Sequence, residues 1–245
     1  MRKHLVWVLA LALAIGIASI AVGANSQTVD AKLGTTKLPK TKYKGTSINV
    51  TTTTNDTDGN VDPATKAQIF FDDDLQFFTR GIPICDPADL TNTTTAQAKK
   101  VCGKAQVGAG SATVALAGNP DAPANAVITA FNGKPQGGKP VILLHSRTAP
   151  PINNTIVLIG VLKSTSGDFG KVLEVAVPAL PANTAITRFQ TKVQKSFRFR
   201  GKRRSYVSAR CNDSNKTINY KGVFTYSGGS PTKTALDNQK CTVQG

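Results

Sequence analysis

An all-β fold is predicted: an antiparallel two-sheet sandwich or jelly-roll-like arrangement of about ten strands, with one short helix near residues 95–102. Three features carry that reading. Helix formers are scarce, with one Met and a lone Glu, Glu174, while Thr, Val, Asn, Gly and Pro are plentiful. Apolar and polar residues alternate at a period of two in segment after segment. Turn clusters such as GNPDAPAN, NGKPQGG, APPINN, STSGDFG and PALPAN separate those segments at near-regular spacing. The 245 residues, 40% of them hydrophobic, suffice for the core of one ordinary domain.

In chain order, Arg2, Lys3 and His4 precede the apolar run LVWVLALALAIGIASIAV and the small-residue exit Val22-Gly23-Ala24. This pattern predicts a secretory signal over residues 1–24. An uncleaved membrane anchor is the alternative, because the run nearly spans a bilayer. Residues 25–45 hold five lysines and little apolar periodicity, which predicts a flexible lead-in. A β-sandwich domain over 46–245 follows, with strands expected over 46–53, 66–78, 106–116, 126–131, 140–147, 155–163, 171–177 and 233–241. The stretch near 178–184 would suit an internal boundary.

Four cysteines fit an oxidising compartment and allow three pairings. The local pairs, Cys85 with Cys102 and Cys211 with Cys241, are preferred. Between the first two, Thr94-x-x-Gln97 reads as a capping box, 96–101 as a helix and Gly103 as its stop. That helix brings Cys102 back towards Cys85, and closing such a loop stabilises by about 3 kcal/mol through chain entropy. Zinc is excluded, since no close cysteine pair exists and only His145 lies beyond the signal segment.

The segment 185–226 reads as a three-stranded antiparallel meander. Phe189, Thr191, Val193, Phe197 and Phe199 share one face, interrupted by Lys195. Arg188, Lys192, Arg198 and Arg200 share the other, and Lys202, Arg203 and Arg204 crowd the adjoining turn. The formal net charge is +16, falling to +14 without the signal segment, and +11 of it lies between Val175 and Gly245. A surface of this kind attracts polyanions, such as an anionic cell-wall polymer or a membrane surface. Specific nucleic-acid recognition is not expected, because no recognition helix is evident and the aromatics alternate inward.

Catalytic sets are poorly supplied. Gly133 to Lys139 has the spacing of a phosphate-binding loop, but Pro140 stands where Ser or Thr should hold magnesium, so a hairpin is expected. His145 shares a strand face with Val141, Leu143 and Arg147, which suits a hydrogen-bonded structural histidine better than a base. Carboxylate-pair chemistry would have to draw on Asp72, Asp73, Asp74 or Glu174, of which Asp72 and Asp74 share a face. Asp56, Asp58, Asn60 and Asp62 place oxygen donors at alternate positions, a weak signal for Ca²⁺; no other cofactor is indicated.

The stretches FDDDLQFFTRGIPICDPADL, AQAKKVCGKAQVGAGSATV and KRRSYVSARC resemble a family of exported, cysteine-containing, β-rich proteins of soil actinobacteria. The resemblance implies an extracellular compartment and a β fold, and it carries over no catalytic residue. Together these features lead to the expectation of a secreted, non-catalytic binding or structural protein of the cell envelope, with an extracellular polysaccharide hydrolase as the alternative. Mass spectrometry of the secreted protein should find a chain starting at Asn25. An intact Met1 in the membrane fraction would identify an anchor instead.

Overall fold

The computed structural model describes residues 25–55, 61–116, 119–150, 152–180, 184–212 and 216–244, without the side chains of 119–122. The first strands are β1 (Ser26–Leu33), β2 (Lys37–Leu38), β3 (Lys44–Thr46), β4 (Ile48–Asn55), β5 (Ala64–Asp72) and β6 (Leu75–Phe77). A cysteine-clamped excursion follows, in which 3-10 turns at Pro87–Leu90 and Gly103–Ala105 flank the helix α1 (Thr95–Cys102). Then come β7 (Gln106–Leu116), β8 (Asn119–Gln136), β9 (Lys139–Thr148), β10 (Thr155–Ser164), β11 (Phe169–Ala176) and β12 (Thr184–Val193). The last are β13 (Ser196–Phe199), β14 (Lys202–Ser205), β15 (Val207–Ala209), β16 (Thr217–Tyr226), β17 (Lys233–Lys240) and β18 (Thr242–Val243). The fold is all-β with one short helix, as the alternation and turn clusters predict.

Eleven strands form one antiparallel sheet, in the order β1-β4-β12-β7-β8-β9-β10-β11-β5-β16-β17. The sheet curls until β1 and β17 lie side by side, so the two layers of a sandwich are opposite walls of one nearly closed barrel. With eleven strands alternating in direction, the first and last run the same way and cannot continue the antiparallel ladder. Side chains close the seam instead. Ala31 N–H donates to Asp237 Oδ2 (2.7 Å) and Leu33 N–H to Gln239 Oε1 (2.8 Å). Tyr226 Oη, from β16, donates to Gln27 Oε1 of β1 at 2.7 Å.

The barrel strands follow the period of two, interrupted by bulges such as that at Thr187 of β12. Ile48 and Val50 of β4, Ile69 and Phe71 of β5, Ile128 of β8 and Leu144 of β9 point inward and are buried. Where β7 runs against β12 the backbones press together, and a Cβ on Gly110 would collide with the Gln190 carbonyl oxygen. Glycine there lets the sheet turn a corner.

One barrel end is marked by Asn55, Ala64, Thr148 and Tyr226. The other is capped by a small sheet in the order β3-β15-β6, whose Val207 and Ala209 are wholly buried. Beside that cap, β2 and β18 pair in parallel next to the Cys211–Cys241 disulfide. The Cys85–Cys102 disulfide also forms, and Thr94 and Gln97 make the expected reciprocal capping box. The excursion packs outside the barrel, where Leu90, Ala98 and Cys102 cover Phe131, Val141 and Leu143.

Three expectations are corrected. The stretch 25–45 is no flexible lead-in: β1 pairs with β4 residue by residue from Ser26↔Asn55 to Leu33↔Ile48. Its inward Val29, Ala31 and Leu33 keep the alternation, while lysines at outward and loop positions mask it. The segment 185–226 is no meander. β12 pairs with β4 and β7, β13 with β14 alone, β15 with β3 and β6, and β16 with β5 and β17. Each carries a valid period-two pattern, but the partners come from distant segments. The single strand expected over 66–78 turns at Asp73–Asp74 and becomes β5 and β6. Strands on both sides of 178–184 belong to the same sheet. The run 133–139 is a β8–β9 hairpin, with Gly137 and Gly138 at φ 54° and 73°.

Removing an acceptor at the seam leaves a part-buried N–H unmatched. Asp237→Ala should lower unfolding free energy by about 1–2 kcal/mol, read as a lower urea midpoint at unchanged m-value. An unshifted midpoint would mean that the seam does not depend on this bond.

Candidate functional site

Five of the seven predicted cations lie on the β13–β14 hairpin and two on the barrel wall. The hairpin turns through Arg200 and Gly201, both left-handed at φ 50° and 74°, as a two-residue turn of this type requires. Opposed residues share a face, so Arg198 and Arg203 stand together on one side. On the other side Phe197 and Phe199 pair with Arg204 and Lys202. The phenyl rings fix this side to the protein: Phe78 stacks on Phe197 (6.0 Å) and meets Phe199 edge-on (5.6 Å). Arg204 lies over the Phe78 ring at 5.2 Å and Arg200 over Phe199 at 5.4 Å. Arg188 and Lys192 project outward from β12. All seven are exposed, and none has an acidic partner within salt-bridge distance among the described residues.

Lys195, which interrupts the apolar face, has a structural task. Its Nζ donates to the carbonyls of Lys104 (2.7 Å) and Gln106 (2.8 Å), tying the hairpin's root to the excursion. Two polar grooves, of about 380 and 410 Å³, flank Gln194 at that root. Ser196 and Ser205 line the first, and Lys192 lines the second.

The acidic run is a clamp. Asp72 and Asp74 are each 1% exposed. Asp72 Oδ1 accepts from Asp74 N–H (2.9 Å), and its Oδ2 from Asn219 N–H (2.7 Å). Asp74 Oδ1 accepts from Arg210 Nε and its Oδ2 from Asn212 N–H, both at 2.6 Å. Asp73, more exposed, sits 3.9 Å from the same guanidinium. The three carboxylates lie within 4.8 Å of one another and could hold a cation, but those of Asp72 and Asp74 already bind backbone and arginine donors. Glu174 lies elsewhere, on the outer wall between Lys163 (2.6 Å) and Lys66 (3.1 Å). The hydrogen bond from Lys163 holds its carboxyl below the usual range despite partial burial. Its neighbour on β5 is Gln68, four residues and therefore roughly 13 Å from Asp72, too far for a glycosidase pair.

His145 is fully buried beneath the excursion. Its Nε2 lies 3.1 Å from the Thr93 carbonyl, which can only accept, so the proton sits on Nε2. Thr93 Oγ1 is also 3.1 Å away and passes its own proton to the Leu90 carbonyl. Nδ1 faces no partner. This histidine pins the excursion to the barrel and is inaccessible to a substrate.

Of the calcium set, Asp56, Asp58 and Asn60 lie outside the described residues. Asp62 Oδ2 accepts from Ser230 N–H at 2.9 Å and helps hold the β16–β17 connection. Sequence reading missed the barrel's interior cavity, whose lining comes from residues far apart in the chain. Searches against known protein families, curated proteins and solved structures find no match to this chain.

Burial pushes the pKa of His145 below 6.5, opposed in part by the Thr93 hydrogen bond. The unfolded chain takes the proton near 6.5 and the folded one resists it, so the stabilisation is present above that value and is lost as pH falls through the folded pKa. The melting temperature should therefore drop between pH 7 and pH 5, and His145→Asn should flatten that drop. An equal slope in both proteins would assign the pH dependence to other groups.

Proposed function

We propose that this is an exported, non-catalytic binding or structural protein of the cell envelope or extracellular space, which contacts anionic polymers through the β13–β14 hairpin. The observation that carries this reading is the uncompensated charge of that hairpin. Arg198 and Arg203 oppose each other directly, a like-charge pair that weakens a hairpin by up to about 1 kcal/mol. Aromatic stacking of Arg200 and Arg204 instead fixes guanidinium groups, the side chains suited to bidentate contact with phosphate or carboxylate. The grooves beside Gln194 offer a strand-like polymer a polar path past Lys192.

Export is supported by the two disulfides, which persist in oxidising surroundings, and by the N-terminal signal pattern. The hydrolase alternative finds little support, since Asp72, Asp74 and His145 are buried and occupied by structural hydrogen bonds.

Binding of this kind is sequence-blind and salt-sensitive. On immobilised heparin as the probe polyanion, Arg198→Ser with Arg203→Ser should elute at clearly lower salt. The slope of log affinity against log salt should fall by about two. The control is Lys134→Ser with Lys139→Ser, two exposed cations of the β8–β9 hairpin whose loss changes net charge equally. If both pairs shift elution alike, net charge alone is responsible and the hairpin is not a site.

A further inference from the structure

We propose that the barrel interior binds one neutral, unbranched hydrocarbon chain, with a terminal hydroxyl or carbonyl hydrogen-bonded to Thr191. The cavity has a volume of about 130 Å³ and no charged side chain among its described lining residues. Along β4 its lining runs from Ile48 to Thr54, six residue steps or roughly 20 Å of strand. That volume makes a slot with room for a short chain of about five carbons. For comparison, an engineered apolar cavity of about 150 Å³ stays dry and accepts benzene. A floor of Phe71, Phe77 and Tyr206 closes the capped end. At the other end, beside Ala64, Val177 and Ile186, no small sheet covers the barrel among the described residues, and the ligand enters there.

The head group is specified by what lines the slot. A carboxylate there would meet no Lys, Arg or His, and burying an unpaired charge costs several kcal/mol. Lining hydroxyls come from Thr52, Thr54, Thr191 and Tyr206. That of Thr54 is bonded to Gln27 Oε1 at 2.6 Å. The Thr191 hydroxyl, on a residue 9% exposed, has no partner among the described residues. Its cross-strand neighbours are Val50 and Gly110, neither with a polar side chain. A buried hydroxyl left this way is destabilising, and a ligand oxygen would relieve it. Thr191 lies near the floor, so the ligand enters polar end first.

Thermal melts of the disulfide-intact protein with 1-pentanol, pentane or pentanoate as probes test this. Pentanol should raise the melting temperature most, pentane less, and pentanoate at pH 8 not at all. Ala67→Leu fills the slot beside Val175, so its unliganded form should melt no lower than the wild type and should lose the pentanol response. Thr191→Val, close in shape, should bind pentane as before and lose the pentanol preference of about fivefold that one hydrogen bond provides. The proposal is overturned if neither pentanol nor pentane shifts the melt, if the filled variant responds like the wild type, or if pentanoate matches pentanol. Persistence of the pentanol preference in Thr191→Val would remove the head-group assignment.

Discussion

Eleven strands share a single interior, and burial of their inward faces is the constraint to which the remaining structure answers. Each strand contributes one row of side chains, and the rows meet only if the sheet bends back on itself. The bend needs corners, hence the glycines of β7, and the two ends need covers. At one end the cover is a small sheet assembled from pieces of chain lying far apart, stapled by Cys211–Cys241. Buried acids serve that assembly. Asp72 and Asp74, at the β5–β6 turn, capture the backbone N–H of Asn212, just after Cys211, and of Asn219, just before Tyr220. Two of the fourteen acids are thereby drawn into the cap, with Arg210 beside them.

Local features were readable from the sequence because their causes are local. A capping box, a two-residue glycine turn and a cysteine loop closed by a short helix each depend on a few consecutive residues. The period-two pattern likewise indicated the strands over 106–116, 140–147, 155–163, 171–177 and 233–241. Pairing was not readable, because an alternating strand presents the same pattern to any neighbour. Phe189 to Phe199 looks like one continuous strand, yet the chain breaks at Gln194–Lys195 and hands the basic residues to a separate hairpin. Lysine-rich composition hid β1, where Lys32 is an outward residue between buried Ala31 and Leu33. The roles of Asp74 and Lys195 depend on Arg210 and on the carbonyls of Lys104 and Gln106, between 89 and 136 positions away. A single sequence offers no trace of such partners.

The two surfaces suggested for binding occupy different parts of the molecule. The basic hairpin stands at the capped end and is fixed by rings to the excursion's base at Phe78. The mouth of the slot lies at the opposite end, near Ala64 and Val177.

The seam between β1 and β17 sets the protein's weakest line. A barrel closed by an unbroken ladder must give up many backbone bonds together before it can part. Here two carboxamide or carboxylate side chains and one phenol span the gap, and each can swap its partner for water one at a time. Local opening along this line thus has a lower free energy than global unfolding, and amide protons of Ala31 and Leu33 exchange with solvent ahead of those in β8 or β9. Parting there would not breach the slot, whose described lining includes no residue of β1 or β17.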